Sequence, residues 1–166
     1  MNLLARGAAW LAAIALVALA GCASPPRTAE LHDPAGSPWN GRLALQVQDQ
    51  ASQSFSASFE LKGSARAGEL TLFGPLGGTL AALIWQPGGA SLNADGQVRQ
   101  FESVDAIVAH VTGAAIPIGA LFDWLRGIDT PVEGWRADLS QLGQGRLGAK
   151  RLAPAPEADL RVVFER

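Results

Sequence analysis

Cysteine and histidine are the side chains best suited to nucleophilic, acid–base or metal chemistry near neutral pH, and this chain holds only Cys22, His32 and His110. Cys22 has no second cysteine with which to form an intramolecular disulfide. It follows Leu19-Ala20-Gly21 directly. A lone thiol in an oxidising compartment is a liability unless it is capped, and acylation caps it. His32 sits in a Pro-, Ser- and Ala-rich stretch, and His110 lies on an amphipathic segment with no evident acid or base partner. No Cys/His spacing suits zinc, and no Gly-x-Ser-x-Gly elbow occurs. Gly74-Pro75-Leu76-Gly77-Gly78 is glycine-rich but lacks the downstream lysine and the strand-to-helix context of a phosphate cradle. Asp95, Asp105, Asp123 and Asp129 are scattered over turns and helix surfaces. The chain is therefore not expected to be an enzyme, and no metal or cofactor is expected beyond lipid attached to Cys22.

The segment before Cys22 explains how that thiol becomes capped. Arg6 is its only charge, an apolar run from Leu11 to Ala20 follows, and small residues precede the cysteine. This is the plan of a secretory signal. The run is too short for an ordinary spanning helix, which needs about 20 apolar residues. Leu19-Ala20-Gly21-Cys22 resembles the lipobox of bacterial lipoproteins, which implies cleavage before Cys22 and a diacylated, then N-acylated, cysteine. Two or more acyl chains anchor firmly where one anchors marginally. Ala23 stands where an aspartate commonly marks inner-membrane retention, so the resemblance implies an outer-membrane address.

Removing residues 1–21 leaves 145 residues, one domain's worth, with 12 basic and 15 acidic side chains. That balance gives no electrostatic case for nucleic acid. Residues 22–38 read as the lipidated N-terminus and a flexible tether, and 39–166 as the folded domain.

From Trp39 onward the apolar period is two. Leu43, Leu45 and Val47 share one face, and Phe55 and Phe59 alternate with serines in Ser54 to Leu61. Glu69–Phe73, Thr79–Trp85, Ala90–Leu92 and Val98–Phe101 are further strand candidates, the last two joined by the hairpin turn Asn93-Ala94-Asp95-Gly96. The period then changes. Ser103 is suited to cap a helix with apolar Val104, Ile107, Val108 and Val111, ended by Gly113, and a second short helix over Gly119–Arg126 carries Leu121, Phe122, Trp124 and Leu125. Strands return at Trp135–Leu139, Arg146–Leu152 and Leu160–Phe164. Strands, two small helices and more strands predict a mainly β (α+β) fold, a curved antiparallel sheet with the helices against its concave side. On pattern alone, Leu76 at a turn tip reads as a packing residue folded back onto the sheet.

Taken in order after the lipobox, Gly41-Arg42-Leu43, Gly74-Pro75-Leu76-Gly77, Thr112-Gly113, Ile116-Pro117 and Trp124-Leu125-Arg126-Gly127 resemble the LolB-type outer-membrane lipoprotein receptors. The resemblance runs from about Trp39 to Gly127 and more weakly through Gly134-Trp135. It implies an unclosed antiparallel β-barrel with a small helical lid over an apolar cavity. It also implies a receptor held in the outer membrane and facing the periplasm, and the chain is expected to be a monomer. Such a receptor accepts acylated lipoproteins from a periplasmic carrier of related fold and passes them into the outer membrane. In that family the Pro-Leu-Gly loop projects a leucine that helps deliver cargo. This assigns Pro75, Leu76 and Gly77 to membrane insertion and reverses the reading of Leu76 from pattern.

The family fixes no cavity motif, so alternation supplies the acyl-chain candidates: Leu43, Leu45, Phe55, Phe59, Leu83 and Trp85 on the wall, with Leu121 and Trp124 on the lid. Alternation is equally compatible with an ordinary packed core. Many family members carry a tyrosine after the C-terminal Gly-Trp, whereas here Leu139 follows and the chain has no tyrosine. Together with the stop at Arg166, that departure leads to an expectation of short last strands and a smaller wall. Two other readings remain open: a structural or scaffolding envelope lipoprotein, and a lipid or glycolipid carrier.

Overall fold

The computed structural model describes residues 38–49, 54–112 and 116–165. The signal segment, Cys22, His32 and the tether, together with Gly113, lie outside the described residues. Six strands come first: β1 (Trp39–Val47), β2 (Phe55–Gly63), β3 (Gly68–Phe73), β4 (Thr79–Gln86), β5 (Gly89–Ala94) and β6 (Gln97–Phe101). Two helices follow, α1 (Val104–Thr112) and α2 (Ile118–Leu125). Strands β7 (Trp135–Asp138), β8 (Arg146–Arg151) and β9 (Ala158–Glu165) complete the order.

The nine strands make one antiparallel sheet, ordered β6-β5-β4-β3-β2-β1-β9-β8-β7. The meander β1–β6 needs only hairpins, whereas β9 returns to pair with β1 from Asn40↔Glu165 to Val47↔Ala158. β6 and β7 are the two edges and do not pair with each other, so the barrel is unclosed. The helices occupy the connection between those edges and lie against the inner face. This is the predicted architecture of an open β-barrel with a helical lid.

Alternation sets the two faces of each wall strand. Leu43, Leu45 and Val47 on β1, Ala57, Phe59 and Leu61 on β2, and Ala158, Leu160, Val162 and Phe164 on β9 are all buried. Each such valine, leucine or phenylalanine contributes roughly 1.5–3 kcal/mol relative to an exposed one. The last strands are not uniformly short, contrary to the expectation. β7 has 4 residues, but β9 has 8 and runs nearly the length of β1. Phe164 meets Trp39 edge-on, with ring centroids 5.2 Å apart, and this contact closes the far end of the β1–β9 seam.

In α1 the Ser103 hydroxyl accepts a hydrogen bond from the Ala106 N–H at 3.1 Å, as an N-cap should. Its buried stripe differs from the sequence reading at one position. Val111 is exposed and Thr112 is buried instead. The Thr112 hydroxyl donates to the Val108 carbonyl at 2.8 Å, which satisfies its polar group and lets the methyl face the core. α2 buries six of its eight residues, including Ile118, Leu121, Phe122 and Trp124. A helix apolar on nearly every side is enclosed by protein. α2 is the plug of the barrel.

Candidate functional site

All strands have one end in common with the Gly74–Gly78 loop: the C-termini of β1, β3, β5 and β8 and the N-termini of β2, β4, β6, β7 and β9. On β2 to β5 the burial of the inward side chains falls toward this end, whereas Val47 of β1 and Ala158 of β9 stay buried there. Leu61, Leu70, Trp85 and Ala90 are buried near the opposite end, while Phe55, Leu72, Ala81 and Ala94 are only partly buried near the loop. The Trp85 indole N–H donates to the Ser64 carbonyl at 3.0 Å and ties β4 to the β2–β3 turn, sealing the far end. The mouth of the interior is therefore on the side from which the loop projects.

The lid spans the gap between the sheet's two arms. Phe122 packs against Trp85 of β4 with centroids 6.3 Å apart, and Trp124 packs against Trp135 of β7, also at 6.3 Å. Hydrogen bonds fix its two ends. The Ile118 N–H, an orphan donor at the start of α2, donates to Asp105 Oδ1 of α1 at 3.1 Å. The Trp124 indole donates to the Thr130 carbonyl at 3.0 Å, and the Thr130 hydroxyl donates to Asp123 Oδ2 at 2.8 Å. Most of the buried surface of α2 is apolar, and apolar contact is non-directional and can be exchanged for other apolar surface.

Energetics decide whether such an exchange is feasible. Displacing Ile118, Leu121, Phe122, Trp124 and Leu125 of α2 into water would cost roughly 8–15 kcal/mol at the usual value per side chain. An acyl chain of about 15 methylenes gains roughly 12 kcal/mol on leaving water. The two quantities are of the same order, so an acyl chain can compete with the lid for the wall.

At the mouth, Gly74 to Gly78 form a tight hairpin loop. The Gly77 N–H donates to the Gly74 carbonyl at 2.9 Å, and the Gly74 N–H donates to the Gly78 carbonyl at 2.8 Å. Pro75 and Leu76 occupy the two central positions, and Gly77 takes the left-handed φ of 81° that closes such a loop. Leu80 packs beneath, with Cδ2 3.3 Å from where a Cβ would sit on Gly74. Leu76 is 101% exposed. It is not folded back onto the sheet, so the reading from pattern alone is overturned: a two-bond turn with a fixed-φ proline holds the leucine away from every partner.

Of the wall candidates, Leu43, Leu45, Phe59, Leu83 and Trp85 are buried on the inner face, and Phe55 is partly buried nearer the mouth. Leu121 and Trp124 are buried on the lid against the same cluster. One cluster thus holds all eight, with the lid seated among the wall residues. The sequence reading missed Asp105 as the clasp between the helices and Arg151 on the inner face of β8. It placed Asp105 on a helix surface, and only the fold reveals that Ile118 returns to it. A groove of about 730 Å³ lies on the outer side of β7–β9, lined by Arg136, Asp138, Lys150 and Arg161 among others, away from the lid. His110 sits beside Phe101 and Arg99, with Arg99 Nη1 3.1 Å from its Nε2, and no acidic side chain completes a catalytic pair there.

The comparisons with known proteins agree with this architecture. The family model described as "Outer membrane lipoprotein LolB" matches residues 38–152. An outer-membrane lipoprotein LolB of Bordetella petrii is 32% identical, with the alignment covering 93% of this chain and 90% of that protein. One from Chromobacterium violaceum is 32% identical over 72% of this chain and 68% of its own length. One from Thiobacillus denitrificans is 27% identical over 89% of this chain and 90% of its own length. With the motifs in order, the open barrel and lid in place and the family model spanning most of the folded part, the chain belongs to the LolB family of outer-membrane lipoproteins.

Proposed function

We propose that this protein is the receptor that accepts acylated lipoproteins from a soluble periplasmic carrier and helps insert them into the outer membrane. In this reading it is itself held at that membrane by lipid on Cys22. The observation that carries the reading is a juxtaposition: an apolar interior under an apolar lid opens at the end that projects a fully exposed leucine. Acyl chains enter by replacing lid side chains on the wall formed by Leu43, Leu45, Phe55, Phe59, Leu83 and Trp85. Leu121 and Trp124 move with α2. Pro75 and Gly77 hold Leu76 ready to enter the bilayer interface, where the cargo is released.

No bond is made or broken in this cycle, and direction comes from differences in binding free energy. The interior must hold acyl chains better than the carrier does and worse than a bilayer does. An interior already filled by its lid suits this middle rank, because each bound chain is charged the cost of displacing α2.

The test mixes the mature chain from Ala23 onward with carrier loaded with an acylated lipoprotein, beside a non-acylated control. Acyl-dependent movement of cargo onto this protein is expected. A folded protein that takes up no cargo would sink the reading and favour a scaffold, whose apolar interior is simply a core. Binding of glycolipid but not of lipoprotein would favour the lipid carrier.

A further inference from the structure

We infer that Arg151 recognises the carbonyl oxygens at the head of an acylated cysteine, an inference that rests on the acyl-binding reading above. On β8, Leu147 and Ala149 face inward and are buried, and Arg151 follows on the same face as the last residue of the strand. Its register partners are Trp135 on one side and Ala158 on the other, and Ala158 in turn pairs with Val47. The row is otherwise apolar and lies at the end of the sheet from which the Leu76 loop projects.

Within this row the Arg151 Nη1 is buried and has no hydrogen-bond partner. Buried donors are paired in nearly all native structures, and an unpaired cationic one is among the costlier exceptions. The acidic groups nearby do not pair with this nitrogen. Glu157 and Asp159 line the same small depression of about 280 Å³ at the strand ends, together with Gln46, Gln48 and Lys150. Asp159, however, is on the outer face and is engaged by Arg161 at 3.1 Å and by Lys150 at 4.0 Å.

A guanidinium N–H at the end of the inward, otherwise apolar row fits an uncharged, strong acceptor delivered together with hydrocarbon. A triacylated cysteine offers two ester carbonyls and one amide carbonyl where its chains converge. With the chains inside, that point of convergence comes to rest at the mouth. The lone donor then gains its acceptor only when cargo is bound, and it sets how deeply the chains sit.

The test uses the full chain with Cys22→Ala, so that no lipid of its own competes, and two synthetic lipopeptides without an N-acyl chain, so that only the glyceryl linkages differ in carbonyl content. One carries ester-linked chains on its glyceryl cysteine and the other carries ether-linked chains of equal length. Wild-type protein should bind the ester form about tenfold more tightly, the scale of a hydrogen bond to a charged group. Arg151→Met should bind the two forms equally. The same variant should melt at a higher temperature than wild type, because it removes a buried unpaired donor while keeping the side-chain volume. A purely structural arginine predicts the opposite shift. Equal binding of both forms by wild type would overturn the role of Arg151 and leave the acyl-binding reading intact. Binding of neither form would overturn both.

Discussion

Leu76 and the two inward phenylalanines of β2 show how the same residue class does different work depending on exposure. Leu76 is fully exposed at the loop tip, so Leu76→Glu removes no packing. The variant should fold with an unchanged melting temperature, bind acylated cargo normally and insert it poorly into liposomes, as followed by cargo recovered in the vesicle fraction. Unimpaired insertion would end the assignment of the loop. Phe59 is 4% exposed and sits in the centre of the wall. A carboxylate there would cost several kcal/mol by burial of an unpaired charge and would unfold the protein rather than report on cargo. Phe55 lies nearer the mouth and is partly buried, so Phe55→Glu should keep the fold while weakening acyl binding at least tenfold. Circular dichroism and a lipopeptide titration on the two variants separate the cases.

Two elements carry predictions of their own. β1 and β9 approach so closely at Gly41 that a Cβ there would run into the Val163 carbonyl oxygen. Gly41→Ala should therefore force the seam apart and destabilise the fold by about 3 kcal/mol, read from denaturant unfolding. This gives the Gly41-Arg42-Leu43 motif a structural meaning, since the glycine permits the contact that joins the last strand to the first. The lid is governed by its clasp. Removing the Asp105 acceptor in Asp105→Ala leaves the Ile118 N–H without a protein partner and should cost about 1 kcal/mol of lid closure. Exchange of a bound acyl probe should then quicken about fivefold in stopped-flow measurements, while global stability changes little. An unchanged exchange rate would mean that α2 does not move as a unit about that clasp.

For the molecule as a whole, the proposed cycle exchanges lid contacts for cargo contacts. Trp124 sits between the barrel wall and Trp135 in the closed state. Binding an acylated lipopeptide should therefore change tryptophan emission, and Trp124→Phe should abolish most of that change while binding persists. Emission that ignores saturating ligand would argue that chains bind elsewhere, for example in the outer groove beside β7–β9. The thermodynamic balance explains why the interior is closed at rest. An open apolar chamber would expose a large sticky surface to solvent and to other proteins, and a lid worth several kcal/mol removes it.

The sequence by itself determined the strands, the helices and the inward faces, because alternation of two and the switch to a helical period report directly on which side chains must leave water. Leu43-x-Leu45-x-Val47 and the β2 serines opposite phenylalanines were legible for that reason, as were the Ser103 cap and the apolar girth of α2. Position 111 was misread because Val111 and Thr112 lie at the two margins of one helical stripe, and only the Val108 carbonyl decides which is buried. The tertiary structure alone decided what is contributed by distant segments. These are the pairing of β9 with β1, the clasp from Asp105 to Ile118 and the unpaired Arg151 donor at the mouth. Each depends on where a second piece of chain arrives, and a local hydrophobic pattern records which face is apolar without recording what will meet it.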